Sequence, residues 1–272
     1  MKKTSPRRTL PMTALGIVIL AFMLFPVYWM INVSLQGGGM AANSTLFPFS
    51  PDFSGYEKAL SQQTGNLGTS IVVALGTVLV TLAISTPAAY ALAQFRLRGS
   101  GVVQFALLIA QMIPGIVIAN SLYTLFNTLR LVDTIPGLIL ADATHAVPFA
   151  ILIMTAFMRS IPPSLVEAAR VDGAGHLRAF WSIVLPVSRN SIITAALFSF
   201  LFAWSDFIFA LTLTSSNTVK PITLGIYDYL EGNVQSWAPV LATAVIASLP
   251  AIVLLVVAQR YIAAGALGGA VK

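Results

Sequence analysis

Charged residues in this chain stand in small clusters, and the stretches between clusters are long and continuously apolar. No Asp, Glu, Lys or Arg occurs between Arg8 and Asp52, between Lys58 and Arg96, or between Arg98 and Arg130. A helix that crosses the hydrocarbon core of a bilayer needs about 20 apolar residues, with its backbone polar groups satisfied internally. The pattern predicts six such helices, at about 11–35, 68–93, 102–126, 136–158, 190–213 and 238–261. The fourth carries Asp142 and His145 near its start, and the fifth carries Asp206. The predicted fold class is an all-α integral membrane protein, a single transmembrane domain over 1–272. A loop at 159–189 joins the fourth and fifth spans, and a tail at 262–272 follows the sixth.

Composition supports this. Of 272 residues 57% are hydrophobic and 9% charged, against roughly 25% charged in an average soluble protein, and mean hydropathy is +0.86. So few charges cannot cover a soluble protein of this size, which excludes an ordinary cytosolic enzyme or a disordered chain. There is no cysteine, so disulfides, thiolate metal sites and cysteine nucleophiles are excluded. The first apolar run follows Lys2, Lys3, Arg7 and Arg8, as a secretory signal would. It is about 25 residues long where a signal core is roughly 7–15, so it reads as a retained helix.

Lysine and arginine set the orientation. With the N-terminus inside, the inner segments hold Lys2, Lys3, Arg7, Arg8, Arg96, Arg98, Arg159, Arg170, Arg178, Arg189, Arg260 and Lys272. The outer loops hold only Lys58, Arg130 and Lys220. Both termini are expected in the cytoplasm. The net charge of +6 is therefore a topological signal, and no nucleic-acid partner is expected.

The loop between spans four and five is the informative segment. Pro162 and Pro163 end what precedes it, and Ser164 with Glu167 has the spacing of a capping box. A short helix to about residue 172 is predicted, then a turn at Gly173 and Gly175, where glycine takes positive φ without penalty. A second helix follows, with Leu177, Phe180, Trp181, Val184 and Leu185 on one apolar stripe. Pro186 stops or kinks it. Taken alone, this is equally an amphipathic loop lying on the membrane surface.

The order of residues within the loop is more specific. Glu167-Ala168-Ala169, then Asp172-Gly173-Ala174, then Phe180, Ile183, Leu185 and Pro186 resembles the EAA loop of ABC-importer inner-membrane permeases. Phe202-Ala203-Trp204-Ser205-Asp206-Phe207 is similar to a segment of the carbohydrate branch, which contains the maltose permeases. Ser205 stands where that branch more often has Asn. The end of the chain, Gln259, Arg260, Tyr261 and Ile262 through Gly265 to Gly269 and Lys272, resembles the branch's terminal signature.

The resemblance implies a subunit forming half of a sugar pathway in a prokaryotic inner membrane. It implies a homologous second permease, two ATP-binding subunits that hold ATP and Mg, and an external solute-binding protein as partners, besides membrane lipid. Glu167, Ala168, Ala169, Asp172, Gly173, Phe180, Leu185 and Pro186 would couple to the ATPase. Gln259, Arg260, Gly265, Gly269 and Lys272 would form a second contact, although a glycine-rich terminus is also where chains fray.

Embedded ionisable groups are costly and usually face protein or water. Asp142 and His145, at i and i+3, share a helix face. They form either a polar wall of the solute path, or a local hydrogen-bonded pair or groups solvated at the membrane interface. Asp206 is either pore-lining or a tie between helices. Gln111, Asn120, Tyr123, Trp204 and Asp206 are the candidate solute path, since sugars take hydrogen bonds and aromatic faces. The same residues also suit ordinary packing.

No phosphate-binding Gly-x-x-x-x-Gly-Lys-Ser/Thr loop is present, and the two histidines lack metal-ligand spacing. The chain is therefore expected to bind no cofactor or metal and to be no enzyme. An ion-gradient-driven transporter is the alternative class, opposed by the lack of an inverted repeat and by the expectation that the spans hold no paired broken helices. A same-family importer of a polyol, glycerol phosphate or aminosugar is the alternative solute class.

Overall fold

The computed structural model describes residues 6–37, 44–95, 97–171, 173–215, 218–231 and 236–268. All regular structure among them is helical. The helices are α1 (Pro6–Ser34), α2 (Ser54–Gln94), α3 (Ser100–Ala110), α4 (Gly115–Leu129), α5 (Ile135–Met158), α6 (Pro163–Val171) and α7 (His176–Ala179). A π-helical turn (Phe180–Val184) leads into α8 (Leu185–Val187), followed by α9 (Arg189–Ser205), α10 (Ile208–Leu213), α11 (Ile222–Glu231) and α12 (Trp237–Gly268).

Four segments are long and apolar enough to cross a membrane: 11–34, 54–94, 135–158 and 237–259. The count reaches six if two bent pairs are each one span, α3 with α4 at 96° and α7–α8 with α9 at 76°. The third predicted helix is thus broken rather than continuous, and two bent pairs stand where no paired broken helices were expected. The break follows from Pro114, which has no N–H and starts α4 afresh at Gly115. The fifth, expected over 190–213, is interrupted at Asp206 and Phe207. There the aspartate carboxylate accepts the backbone N–H groups of Phe209 (3.2 Å) and Ala210 (2.9 Å). A side chain that satisfies backbone donors locally competes with helix continuation. The second helix begins at Ser54, well before the expected 68, and α11 occupies a stretch expected to be an external loop.

The chain forms two compact units, Met1–Thr64 with Ile226–Ser248, and Gly65–Gly225 with Leu249–Lys272. In the first, α1 exposes large apolar side chains on every side, among them Met12, Phe22 and Met23, as expected of a helix meant for lipid or for another protein. Its C-terminal end is tied down. Tyr28 donates to the carbonyl of Leu46, Asn32 Nδ2 to that of Thr45 (2.7 Å), and the Ser34 and Tyr56 hydroxyls lie 2.7 Å apart. Asp52 accepts the N–H of Ser54 at the start of α2 (2.8 Å). That bond holds its carboxyl below the ordinary carboxylate range.

In the second unit α5 is the central helix, and it packs chiefly on α9. Small residues on α5 (Ala141, Ala146, Ala150) are fully buried and let neighbouring backbones approach, the usual packing solution inside a membrane. Two apolar clusters result. One gathers Val73, Ala119, Phe126, Leu138, Phe209 and Leu213. The other gathers Tyr90 of α2, Met154 and Met158 of α5, Ala195 of α9, and residues of α6, α7 and the π turn.

Candidate coupling segment and solute path

The helix–glycine–helix expectation for 159–189 matches the structure: α6 ends at Val171 and α7 begins at His176. Gly173 lies between them with φ +84°, in the region that favours glycine. A Cβ built there would meet nothing within 4 Å, so backbone conformation alone demands the glycine. Two details differ from expectation. The first helix starts at Pro163, a favoured first-turn position for proline, so Ser164 lies inside the helix rather than at its cap. The apolar stripe of the second helix is also split. Phe180 and Val184 are buried, whereas Leu177 and Trp181 are 77% and 67% exposed. Each pair is spaced i, i+4, so the core covers only one edge of the stripe; a π turn follows, in which the Leu185 N–H reaches back to the Phe180 carbonyl. Pro186 cannot donate to the carbonyl four residues before it, and the wider turn displaces the register.

The faces of α6 have distinct destinations. Val166 and Ala169 join the cluster of Tyr90, Met154, Met158, Phe180 and Val184. Glu167, Ala168, Leu165 and Val171 face outward, with Val171 87% exposed. Pro186 is exposed and Leu185 half-buried. The inner attachment is reinforced by Gln94 Nε2, which donates to the Met158 carbonyl at 2.8 Å and ties the end of α2 to the end of α5. Asp172, Gly269 and Lys272 lie outside the described residues. Gln259, Arg260 and Gly265 belong to α12.

The candidate solute-path residues fall in three places. Gln111 and Asp206 sit at the two helix breaks, and Asn120 and Tyr123 are exposed on α4. Trp204 is buried, its ring stacked on Phe200 at 5.4 Å and 13°, so its face is spent on packing. Asp142 is buried in α5, and among the described residues no hydrogen bond joins it to His145. Instead His145 sits where the breaks converge. Its carbonyl accepts from Gln111 Nε2 at 3.1 Å, and its ring lies edge-on to Phe209 at 5.8 Å. Sequence reasoning paired His145 with Asp142 because they share a helix face. The contacts that matter are tertiary and leave no local signal.

Residues 85–266 match the family model described as "Binding-protein-dependent transport system inner membrane component". The chain belongs to this family. Among relatives, the permease is 32% identical over 271 residues to the trehalose transport system permease protein SugB of Mycobacterium tuberculosis, covering 98% of both chains. It is 31% identical over 265 residues to the melibiose/raffinose/stachyose import permease protein MelC of Bacillus subtilis, covering 96% of this chain and 95% of that one. Its fold resembles a chain of a bacterial ABC transporter that imports the acidic polysaccharide alginate. The TM-score is 0.79 at 23% identity, over 96% of this chain and 99% of that one. The protein is an ABC-importer permease, and the relatives it matches are permease subunits, transport components rather than catalysts.

Proposed function

We infer that this permease forms half of the pathway of an ATP-driven importer for a sugar or sugar-like solute, and that α6–Gly173–α7 couples it to a separate ATPase subunit. The observation that carries the coupling reading is the two-sided α6. Val166 and Ala169 share one core with α2, α5 and α9, while Leu165, Glu167, Ala168 and Val171 remain open to a partner. Displacing the outer face therefore displaces residues packed directly on the spans, because close-packed interiors transmit strain. Small Ala168 permits close approach of the partner.

In this reading a homologous permease supplies the other half of the pathway. Two ATP-binding subunits hold ATP and Mg, an external binding protein delivers solute, and both termini and α6 face the cytoplasm. The C-terminal segment from Gln259 through Arg260 and Gly265 to Gly269 and Lys272 gives the ATPase a second contact. The sugar class rests on the trehalose and melibiose systems of the relatives. The test is uptake of a panel of radiolabelled di- and trisaccharides by the whole complex in sealed vesicles loaded with ATP. ATP-dependent accumulation of one of them supports the reading. Accumulation driven by an ion gradient without ATP overturns it.

A further inference from the structure

In the second unit a groove of about 700 Å³ opens between the last turns of α2, the α7–α8 segment and the start of α9. That volume is within the roughly 300–1,000 Å³ of small-molecule sites. Its walls include Pro87, Tyr90 and Phe95 on one side and Leu177, Trp181 and Ile192 on the other. The polar exceptions are Thr86 and His176, and the His176 ring lies 5.4 Å from Phe95. Leu177 and Trp181 reach the groove yet stay mostly exposed.

The two segments that wall the groove carry charge of one sign, the nearest acids before the second being Glu167 on α6 and Asp172. From Leu82 to Arg98 and from Gly173 to Ile192 there is no Asp or Glu. Arg178 stands exposed between the wall residues Leu177 and Trp181, Arg189 stands exposed three residues before Ile192, and Arg98 three residues after Phe95.

We propose that this groove is a binding site for an anionic phospholipid, one acyl chain lying between Phe95 and Trp181 and the phosphate meeting Arg178 and Arg189. A sugar does not suit it, because hydroxyls buried against these walls would lack hydrogen-bond partners. Water gains little there either, since apolar walls offer it few hydrogen-bond partners. An acyl chain asks for no partners, and basic residues beside a membrane-level apolar wall are the usual setting for anionic headgroups. Tryptophan and tyrosine at such a wall match their preference for the membrane interface. The Tyr90 and Phe180 rings, which also wall the groove, lie 5.1 Å apart in the core beneath α6, so the lipid would rest against the coupling segment. Lipid bound in this way would be held whatever solute the permease carries.

The test reads binding separately from transport. The whole complex is reconstituted in phosphatidylcholine vesicles containing a minor fraction of either dibrominated phosphatidylglycerol or dibrominated phosphatidylcholine. Bromine quenches tryptophan on contact, and the difference between the native complex and its Trp181→Phe counterpart isolates Trp181. The expected result is at least twofold more quenching by the brominated phosphatidylglycerol, lost in Arg178→Gln/Arg189→Gln. Native mass spectrometry of the same complexes should retain phosphatidylglycerol over phosphatidylcholine and lose that preference with the same pair. Equal quenching by both lipids would show bulk lipid without a headgroup site, and no quenching would show a protein subunit covering the groove. Either overturns the proposal.

Discussion

Gln111 Nε2 donates a 3.1 Å hydrogen bond to the carbonyl of His145, anchoring the break between α3 and α4 to the middle of α5. Phe209, the second residue of α10, lies against the ring of the same histidine. One residue of α5 therefore touches the elements that follow both helix breaks or form them. Broken membrane helices are tolerated where protein or a cavity satisfies the backbone; Asp206 does so at the second break by accepting the N–H groups of Phe209 and Ala210, while Gln111 ties the first break to α5.

Gln111→Leu should therefore loosen the α3–α4 bend. Polar ties between membrane helices average about 0.6 kcal/mol, so the expected effect is a small fall in thermal midpoint of the detergent-solubilised complex. His145→Ala keeps the carbonyl that Gln111 binds and removes only the ring against Phe209, so it tests the second break separately and should also lower the midpoint. If both variants melt with the wild type, the two breaks are held by something other than His145.

Asp206 is expected to separate structure from transport. Its carboxylate caps α10 through Phe209 and Ala210, and its carbonyl accepts from Thr223 Oγ1 at 2.6 Å. Asn is nearly as good a cap as Asp, whereas Ala costs about 1 kcal/mol. Asp206→Ala should lower complex yield. Asp206→Asn should keep the yield and change uptake if the charge faces the solute path. Normal uptake and yield in both variants would remove Asp206 from either role.

What the sequence disclosed tracks the range of the forces involved. Apolar runs mark α1, α5 and α12 to within a few residues at most ends, because hydrocarbon length is a local constraint. Pro114 stands at the 96° bend between α3 and α4 because it lacks the N–H that would continue the helix, a local property of one residue. The break at Asp206 carries no Pro or Gly, and only the capping bonds to Phe209 and Ala210 reveal it. Gly173 was legible because positive φ is a property of a single residue. The split between buried Phe180 and exposed Trp181 was not, since how much of an apolar stripe is covered depends on the Tyr90, Met154 and Met158 side chains packed against it. The convergence on His145 is tertiary, joining residues far apart along the chain.

Orientation is tested by labelling. The chain has no cysteine, so single introduced cysteines report cleanly. Ser61 on α2 and Ser182 in the π turn are both exposed, whereas Ser188 is 5% exposed and unsuitable. Ser61→Cys should react with a membrane-impermeant maleimide in intact cells, and Ser182→Cys only after permeabilisation. Reaction of both in intact cells would reverse the topology of the loop.

Gly173 gives the sharpest test of the lever. Its φ of +84° costs an L residue roughly 1–2 kcal/mol, since the left-handed region brings Cβ against the following carbonyl. A β-branched side chain fares worst there, and Asn is tolerated comparatively well. Space is not at issue, because a Cβ at this position meets no neighbour within 4 Å. Gly173→Val and Gly173→Asn therefore differ in backbone strain far more than in packing. Valine should force the turn to relax and re-aim α6 against α7, leaving the spans intact, so membrane yield should remain near that of the wild type. A penalty of about 1.4 kcal/mol is a tenfold change in population. Pull-down of the ATPase subunit, or uptake per ATP hydrolysed in vesicles, should accordingly fall severalfold to tenfold in Gly173→Val and largely recover in Gly173→Asn. Full coupling in Gly173→Val would mean that the angle set at this glycine does not transmit the ATPase motion. Equal loss in both variants would mean that the residue acts through its smallness against the docked partner rather than through its backbone.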